Sequence, residues 1–366
     1  MTMETMRAVR LEAWGAGPVL REVPVPTPGH GEVLLRVDAA GLCHSDLSVM
    51  NAAPGRLNYR LPMTLGHEIA GTVIRLGEGV ESDWLGKQVL VHGVWSCRTC
   101  RNCHRGRQNY CLSFAGTEAG SAPIGAGLGY DGGLADFVLV PSTEYLVPAD
   151  GVDPQLLAPL ADAGLTTFHA IASHRDIVDD DGTVLVLGIG GLGHLAVQIL
   201  RDFGCGRIVA VDPRPEARDL ARGLGAHVVA ADLADVAVDL ASSGGVDLVL
   251  DFVGAQSTVE PALQSLAPGG RLAVVGSAGG CIQVGKSEGL AMGWQVNAPF
   301  WGNYENLREV VDLARSGRMS SHVEVFGLDD VVEVYERLAR GDITGRAVIV
   351  PDSTASLRSD PIIERS

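Results

Sequence analysis

The chain has 366 residues, too many for one hydrophobic core, so two domains are expected. Hydrophobic residues make up 46% and charged residues 20%, an ordinary globular balance, and the formal charge of −16 leaves no basic surplus for a general nucleic-acid binder. No run approaches the roughly 20 apolar residues of a membrane span, and Met1 to Arg10 has no apolar signal-peptide core, so a cytoplasmic protein with small-molecule ligands is expected.

The first half reads as β-rich. Apolar, β-branched runs predict strands over 32–37, 70–76, 88–94 and 135–140, separated by Gly, Pro and Asp. From about Pro159 the rhythm changes. A pure apolar strand over 183–187 enters a glycine-rich turn and a helix over 192–203; a strand over 207–211 and a helix over 214–224 follow. Further strands are predicted near Val228, over 246–251 and over 271–275. Buried strands alternating with helices indicate a parallel, doubly wound sheet, so the fold class is α/β. A helix over 306–316 and a strand over 347–350 belong elsewhere, and the polar tail after Pro351 is expected to be loose.

Four of the seven cysteines fall together as Cys97-x2-Cys100-x2-Cys103-x7-Cys111. Thiolates at such intervals can surround one zinc ion tetrahedrally, and four protein ligands leave no open position, so this site is expected to be structural. Two alternatives stand beside it: unrelated buried cysteines, and a nucleic-acid-binding ribbon suggested by Arg98, Arg101, Arg105 and Arg107. A ribbon usually separates two knuckles by a dozen or more residues, whereas three cysteines here crowd one turn. The arginines read more simply as a solvated face or a surface that meets another subunit.

A second set of metal-binding residue types is dispersed. Cys43 sits in Gly41-Leu42-Cys43-His44-Ser45-Asp46, His67 in Gly66-His67-Glu68, and Asp162 in Leu160-Ala161-Asp162-Ala163-Gly164. A thiolate, an imidazole and a carboxylate make three ligands with a fourth position free, the arrangement of catalytic zinc. Such a cation lowers the pKa of a hydroxyl that reaches it. Singly, each residue has a plainer reading: a core cysteine, a hydrogen-bonded histidine, a helix-capping aspartate.

The cofactor signal is a strand running into Gly188-Ile189-Gly190-Gly191-Leu192-Gly193 and then a helix. Gly188 permits a tight turn, Gly190 lets backbone approach a pyrophosphate, and Gly193 lets helix and strand pack closely. Asp212 ends the next strand, where a carboxylate can bind ribose hydroxyls and repel the extra phosphate of NADP, so NAD is expected. Arg214 nearby leaves the choice between NAD and NADP open; following Pro213 it also reads as a surface residue at the start of a helix. Val253, Val275 and Ser277 end later strands of the same sheet and are expected to line the nicotinamide.

Gly66-His67-Glu68-x2-Gly71-x5-Gly77-x2-Val80 resembles the signature of zinc-containing medium-chain alcohol dehydrogenases, and the likeness runs from the N-terminal strand to Gly345-Arg346-Ala347-Val348. Ala40 to Asp46, Leu160 to Thr166, Asp251 to Ser257 and Pro299-Phe300-Trp301-Gly302 are similar to bacterial NAD-dependent secondary-alcohol dehydrogenases. That resemblance implies a GroES-like β-rich catalytic domain over 1–162, a Rossmann NAD-binding domain over 163–299, and a return to the first domain over 300–366. It implies two zinc ions per chain, with Cys43, His67 and Asp162 on the catalytic one. Glu68 would sit behind that metal, Asp46 would orient the His67 ring, and Ser45 would accept the proton of the alcohol. His44 is expected near the pyrophosphate. Ser48 stands where many relatives have a histidine that ends the proton relay. Phe300 and Trp301 would shape the alcohol pocket, against a plainer reading as core packing. A homo-oligomer, tetramer or dimer, and no membrane or nucleic-acid partner are also implied. Two rival functions are a dehydrogenase of primary alcohols, aldehydes or polyols, and a non-catalytic NAD-binding relative.

Overall fold

The computed structural model describes residues 4–115, 121–285 and 290–351; the tail expected to be loose lies outside them. The second half is built on a six-stranded, all-parallel sheet in the order Val228–Ala230, Arg207–Val211, Thr183–Leu187, Val246–Asp251, Leu266–Val274, Gln295–Asn297. Every residue of Thr183–Leu187 is buried, as expected of a strand covered on both faces. The two-residue period of a strand divides its side chains between two cores. Val184 and Val186 join Ile208, Leu248 and Leu250 on one face. Leu185 and Leu187 join Val209, Val249 and Leu272 on the other. The order reverses between Thr183–Leu187 and Val246–Asp251, and a crevice at the carboxyl ends of these strands is where such sheets take ligands.

The other large sheet is mostly antiparallel. It runs Leu146–Pro148, Gln88–Val91, Glu68–Leu76, Val33–Leu42, Arg346–Val350, Val323–Gly327, with Phe137–Val140 also on Val33–Leu42. Strands from residues 323–350 thus complete a sheet begun by residues 33–91. A smaller sheet joins Val19–Pro24, Thr5–Leu11 and Met63–Thr64.

Several elements differ in length from expectation, for physical reasons. The first long strand continues to Leu42, since its buried small residues Ala39 and Ala40 pack against Ala70 and Ile69 of the neighbouring strand. It therefore delivers Cys43 to the sheet's end. The strand expected over 88–94 stops at Val91: His92 N–H makes one last bond to Tyr145 O, and by Trp95 the backbone has passed to Ile124 O as the chain turns toward the cysteines. Helices Ala234–Ser242, Gln256–Gln264 and Val331–Arg340 were not legible as separate elements.

Candidate metal and cofactor site

Cys43 caps the helix His44–Met50 after the long strand, His67 precedes strand Glu68–Leu76, and Asp162 precedes helix Ala163–Ala172. Three distant stretches therefore end at one point. One ligand atom each from Cys43, His67, Glu68 and Asp162 lies within 4.8 Å of all the others. Asp162 Oδ2 is 3.4 Å from Cys43 Sγ and 3.4 Å from His67 Nε2. The capping reading of Asp162 fails: its side chain accepts no bond from the helix backbone and instead takes the Thr166 hydroxyl at 3.0 Å on Oδ1.

His67 is fully buried, and its Nδ1 faces Asp46 Oδ1 at 3.0 Å. That bond fixes the ring and turns Nε2 toward Cys43 and Asp162, where it has no hydrogen-bond partner. Burial would lower the pKa of this ring, but the Asp46 and Asp162 carboxylates outweigh it and hold it well above the ordinary value. An orphaned ring nitrogen facing a thiol and a carboxylate in a negative field fits a divalent cation. The donor set therefore fits zinc.

Glu68, also fully buried, pairs through Oε1 with Arg346 Nη2 at 2.5 Å. Its Oε2 has no partner. Burial pushes its pKa up to about 7 against the pull of Arg346. Glycine is required at position 41, where a Cβ would lie 1.9 Å from Glu68 Oε2. Arg346 was not singled out from the sequence, although an arginine opening the apolar run Arg346–Val350 was a usable signal of a buried charge.

The four cysteines of the loop also converge. Sulfur–sulfur distances are 3.5 Å for Cys100–Cys103, 3.4 Å for Cys97–Cys111 and 3.9 Å for Cys100–Cys111. Bonds of about 2.3 Å to a tetrahedral zinc place sulfurs about 3.8 Å apart, so the cage fits that ion. Backbone N–H groups, Leu112 first, lower the Cys100 thiol to about 6, while burial raises Cys103 to about 12.

A cleft of about 1950 Å³ runs from Cys43, Ser45, Ser48 and Asp162 past Phe300 and Trp301 to the glycine turn, and Val253, Val275 and Ser277 also line it. Gly188 has φ +86°, the left-handed turn expected of it, and a Cβ on Gly193 would meet Gly188 O at 2.0 Å. A Cβ on Gly191 would meet Arg346 Cδ at 2.6 Å. A Cβ on Gly190 would meet only Arg214 Nη2, at 3.8 Å, so the backbone there is open to the cleft, the cradle a pyrophosphate needs. His44 lines the cleft, and partial desolvation of its ring, with the Arg346 charge, lowers its pKa. Ser48 donates to His44 O at 3.2 Å. Asp212 accepts Ile189 N–H at 2.7 Å, and Arg214 lies across it. Arg214 opens helix Pro215–Gly223 with its side chain 41% exposed, as a helix-start surface residue would, and its guanidinium also pairs with a carboxylate that is 3% exposed.

Residues 29–151 match the alcohol dehydrogenase GroES-like domain, and residues 191–316 match the zinc-binding dehydrogenase domain. An NAD-dependent alcohol dehydrogenase of Sulfolobus acidocaldarius is 33% identical over 352 residues, 94% of this chain and 99% of that protein. The chain belongs to the zinc-containing alcohol dehydrogenase family. The alcohol dehydrogenase of Aeropyrum pernix superposes with a TM-score of 0.85 at 32% identity, over 94% of this chain and all of that one. Acetophenone reductase from Geotrichum candidum, solved with NAD, gives 0.82 at 33% identity over 96% and 98% of the two chains. The GroES-like and Rossmann parts expected from the sequence are borne out by the family models and these neighbours.

Proposed function

We propose that the chain is a zinc-containing, NAD-dependent alcohol dehydrogenase that interconverts secondary alcohols and ketones. The observation that carries the reading is the meeting of Cys43, His67 and Asp162 at one end of a cleft whose other end is the Gly188–Gly193 turn. Bound zinc would supply the Lewis acidity that makes an alcohol hydroxyl acidic, and bound NAD would supply the hydride acceptor. Cys43, His67 and Asp162 hold the metal, and Asp46 fixes the imidazole from behind. Ser45, whose hydroxyl is 3.6 Å from Cys43 Sγ, accepts the alcohol proton beside the ligands. The turn with His44 holds the pyrophosphate, Asp212 the ribose, and Val253, Val275 and Ser277 the nicotinamide. Ser48, Phe300 and Trp301 border the alcohol. Secondary alcohols are favoured by the likeness to an acetophenone reductase.

The proposed domain limits are 1–162 and 300–366 for the catalytic part and 163–299 for the cofactor part, supported by strands Val323–Gly327 and Arg346–Val350 sharing a sheet with Val33–Leu42. A cytoplasmic homotetramer is proposed too. Among the described residues no helix is long and apolar enough to cross a membrane, and strand Gln295–Asn297 ends its sheet with Val296 exposed.

The deciding experiment combines metal analysis with NAD reduction across primary and secondary alcohols. About two zinc ions per chain and turnover lost in Cys43→Ala support the reading. Full turnover by a zinc-depleted Cys43→Ala protein would sink it, and a preference for primary alcohols or polyols would move the substrate class.

A further inference from the structure

Trp301 has φ +51°, one of two non-glycine residues with positive φ among the described residues. A bulky aromatic side chain persists in the left-handed region only where its surroundings over-determine it. Both flanking carbonyls are held. Asn109 Nδ2 donates to Phe300 O at 2.8 Å, and His92 Nε2 lies 2.9 Å from Gly302 O. The indole N–H donates to Ala161 O at 3.1 Å, next to Asp162. Position 93 leaves room for the ring, since a Cβ there would fall 2.4 Å from Trp301 Cζ2. The result sets the indole edge-on to the His67 ring, centroids 5.6 Å apart, with Phe300 beside it at the cleft.

Asn109 is 1% exposed and lies in the turn Gln108–Tyr110, directly before the cluster cysteine Cys111. Only one orientation of its amide offers Phe300 O a donor. The same Nδ2 is 3.3 Å from His169 Nε2, and the Tyr110 hydroxyl is 3.1 Å from that nitrogen. His169 Nδ1 lies 2.8 Å from Asn306 Oδ1. One neutral tautomer fits these contacts, with Nδ1–H donating to Asn306 Oδ1 and the single Nε2 lone pair shared between the Tyr110 hydroxyl and Asn109 Nδ2. The cysteine loop, the helix that follows Asp162 and the helix Tyr304–Arg315 are thereby tied together behind the Phe300–Trp301 turn.

We propose that Asn109 is a positioning residue for alcohol specificity. By holding the Phe300 carbonyl it fixes Trp301 in its left-handed conformation and so sets the wall of the alcohol pocket, which makes the cysteine loop part of substrate selection. The proposal rests on the reading that Phe300 and Trp301 face the alcohol, and the test separates the two. The ratio of kcat/KM for 1-phenylethanol to that for 2-propanol is measured in the zinc-loaded parent, Asn109→Ala, Trp301→Ala and the double variant, with KM for NAD and zinc content alongside. Asn109→Ala is expected to shift the ratio by about tenfold, the scale on which a pocket wall discriminates, with KM for NAD and zinc content unchanged. The double variant is expected to match Trp301→Ala, because the two substitutions act through one wall. If Trp301→Ala shifts the ratio and Asn109→Ala does not, or if their effects multiply independently, the role of Asn109 is overturned. If Trp301→Ala leaves the ratio unchanged, the pocket reading itself fails. Asn109→Ser, smaller but polar, gives the same comparison should the alanine variant not fold.

Discussion

Arg214 closes over the carboxylate of Asp212, with Nε 3.0 Å from Oδ1 and Nη2 3.0 Å from Oδ2. Burial would raise the Asp212 pKa, but the bonds from Arg214 and from Ile189 N–H hold it below its usual value, so the carboxylate stays charged at neutral pH. The guanidinium, with 41% of its side chain exposed, offsets that charge on the side open to the cleft, where the proposed ribose would bind.

Arg214→Ala is therefore expected to sharpen the choice of NAD. Without the guanidinium, Asp212 repels a 2′-phosphate unopposed, and kcat/KM with NADP should fall by about tenfold relative to NAD, or about 1.4 kcal/mol. Steady-state kinetics with both cofactors check this. An unchanged ratio would reduce Arg214 to a helix-entry residue.

Replacing Cys103 tests the cage in the loop. Its side chain is buried among three other sulfurs, and a zinc left with three thiolates loses a closed tetrahedral shell. Cys103→Ser is expected to carry about one zinc per chain in place of about two, with a lower melting temperature, because metal binding energy is folding energy. Metal analysis and a melting curve read both. Full zinc content with an unchanged melting point would show that the cage needs no metal.

Much of this site was legible in the sequence because its parts are local. The turn Gly188–Gly193 and the cysteine loop are read from short spacings whose physics does not depend on the rest of the fold. Cys43, His67 and Asp162 are 24 and 95 positions apart in turn, and only the likeness to a family brought them together in the sequence. What stayed hidden is made of long-range polar contacts. Asn109 reaches Phe300 across 191 positions, and Arg346 reaches Glu68 across 278. Neither leaves a periodicity in the chain. For Arg214 the local sequence shows the helix start after Pro213 but not that a buried carboxylate lies within its reach.

His194, like the buried His92, has a lowered pKa that makes stability fall in acid. Its Nδ1 lies 2.8 Å from Gly190 O, and its Nε2 accepts His322 N–H at 3.1 Å. The ring must therefore be neutral, protonated on Nδ1. Burial, with Arg346 and His322 adding to it, lowers its pKa from 6.5 to about 4. Below pH 6.5 the unfolded chain binds a proton that the folded one refuses, so stability falls as pH drops through 6.5 and levels off below about 4. The slope is on the order of 1 kcal/mol per pH unit. His194→Gln, which can keep a donor and an acceptor, is expected to show a shallower fall in urea titrations at pH 7 and pH 5. Parallel falls in both proteins would assign the acid sensitivity elsewhere.

The ion pair of Glu68 and Arg346 lies behind the proposed metal ligands, with the two side chains 0% and 4% exposed. Its attraction does not make it a large net source of stability, since desolvating two charges offsets most of the gain. Removing Arg346 is a different matter, because Glu68, whose pKa burial already raises to about 7 beside the guanidinium, must then take up a proton or stay buried as an unpaired charge. Arg346→Met is expected to cost about 3–5 kcal/mol in denaturant unfolding. Adding Glu68→Gln should recover most of that loss, as the buried charge is then gone. If the double variant were as unstable as the single one, the role of Arg346 would lie in packing its stem against Gly191, where its Cδ leaves no room for a Cβ.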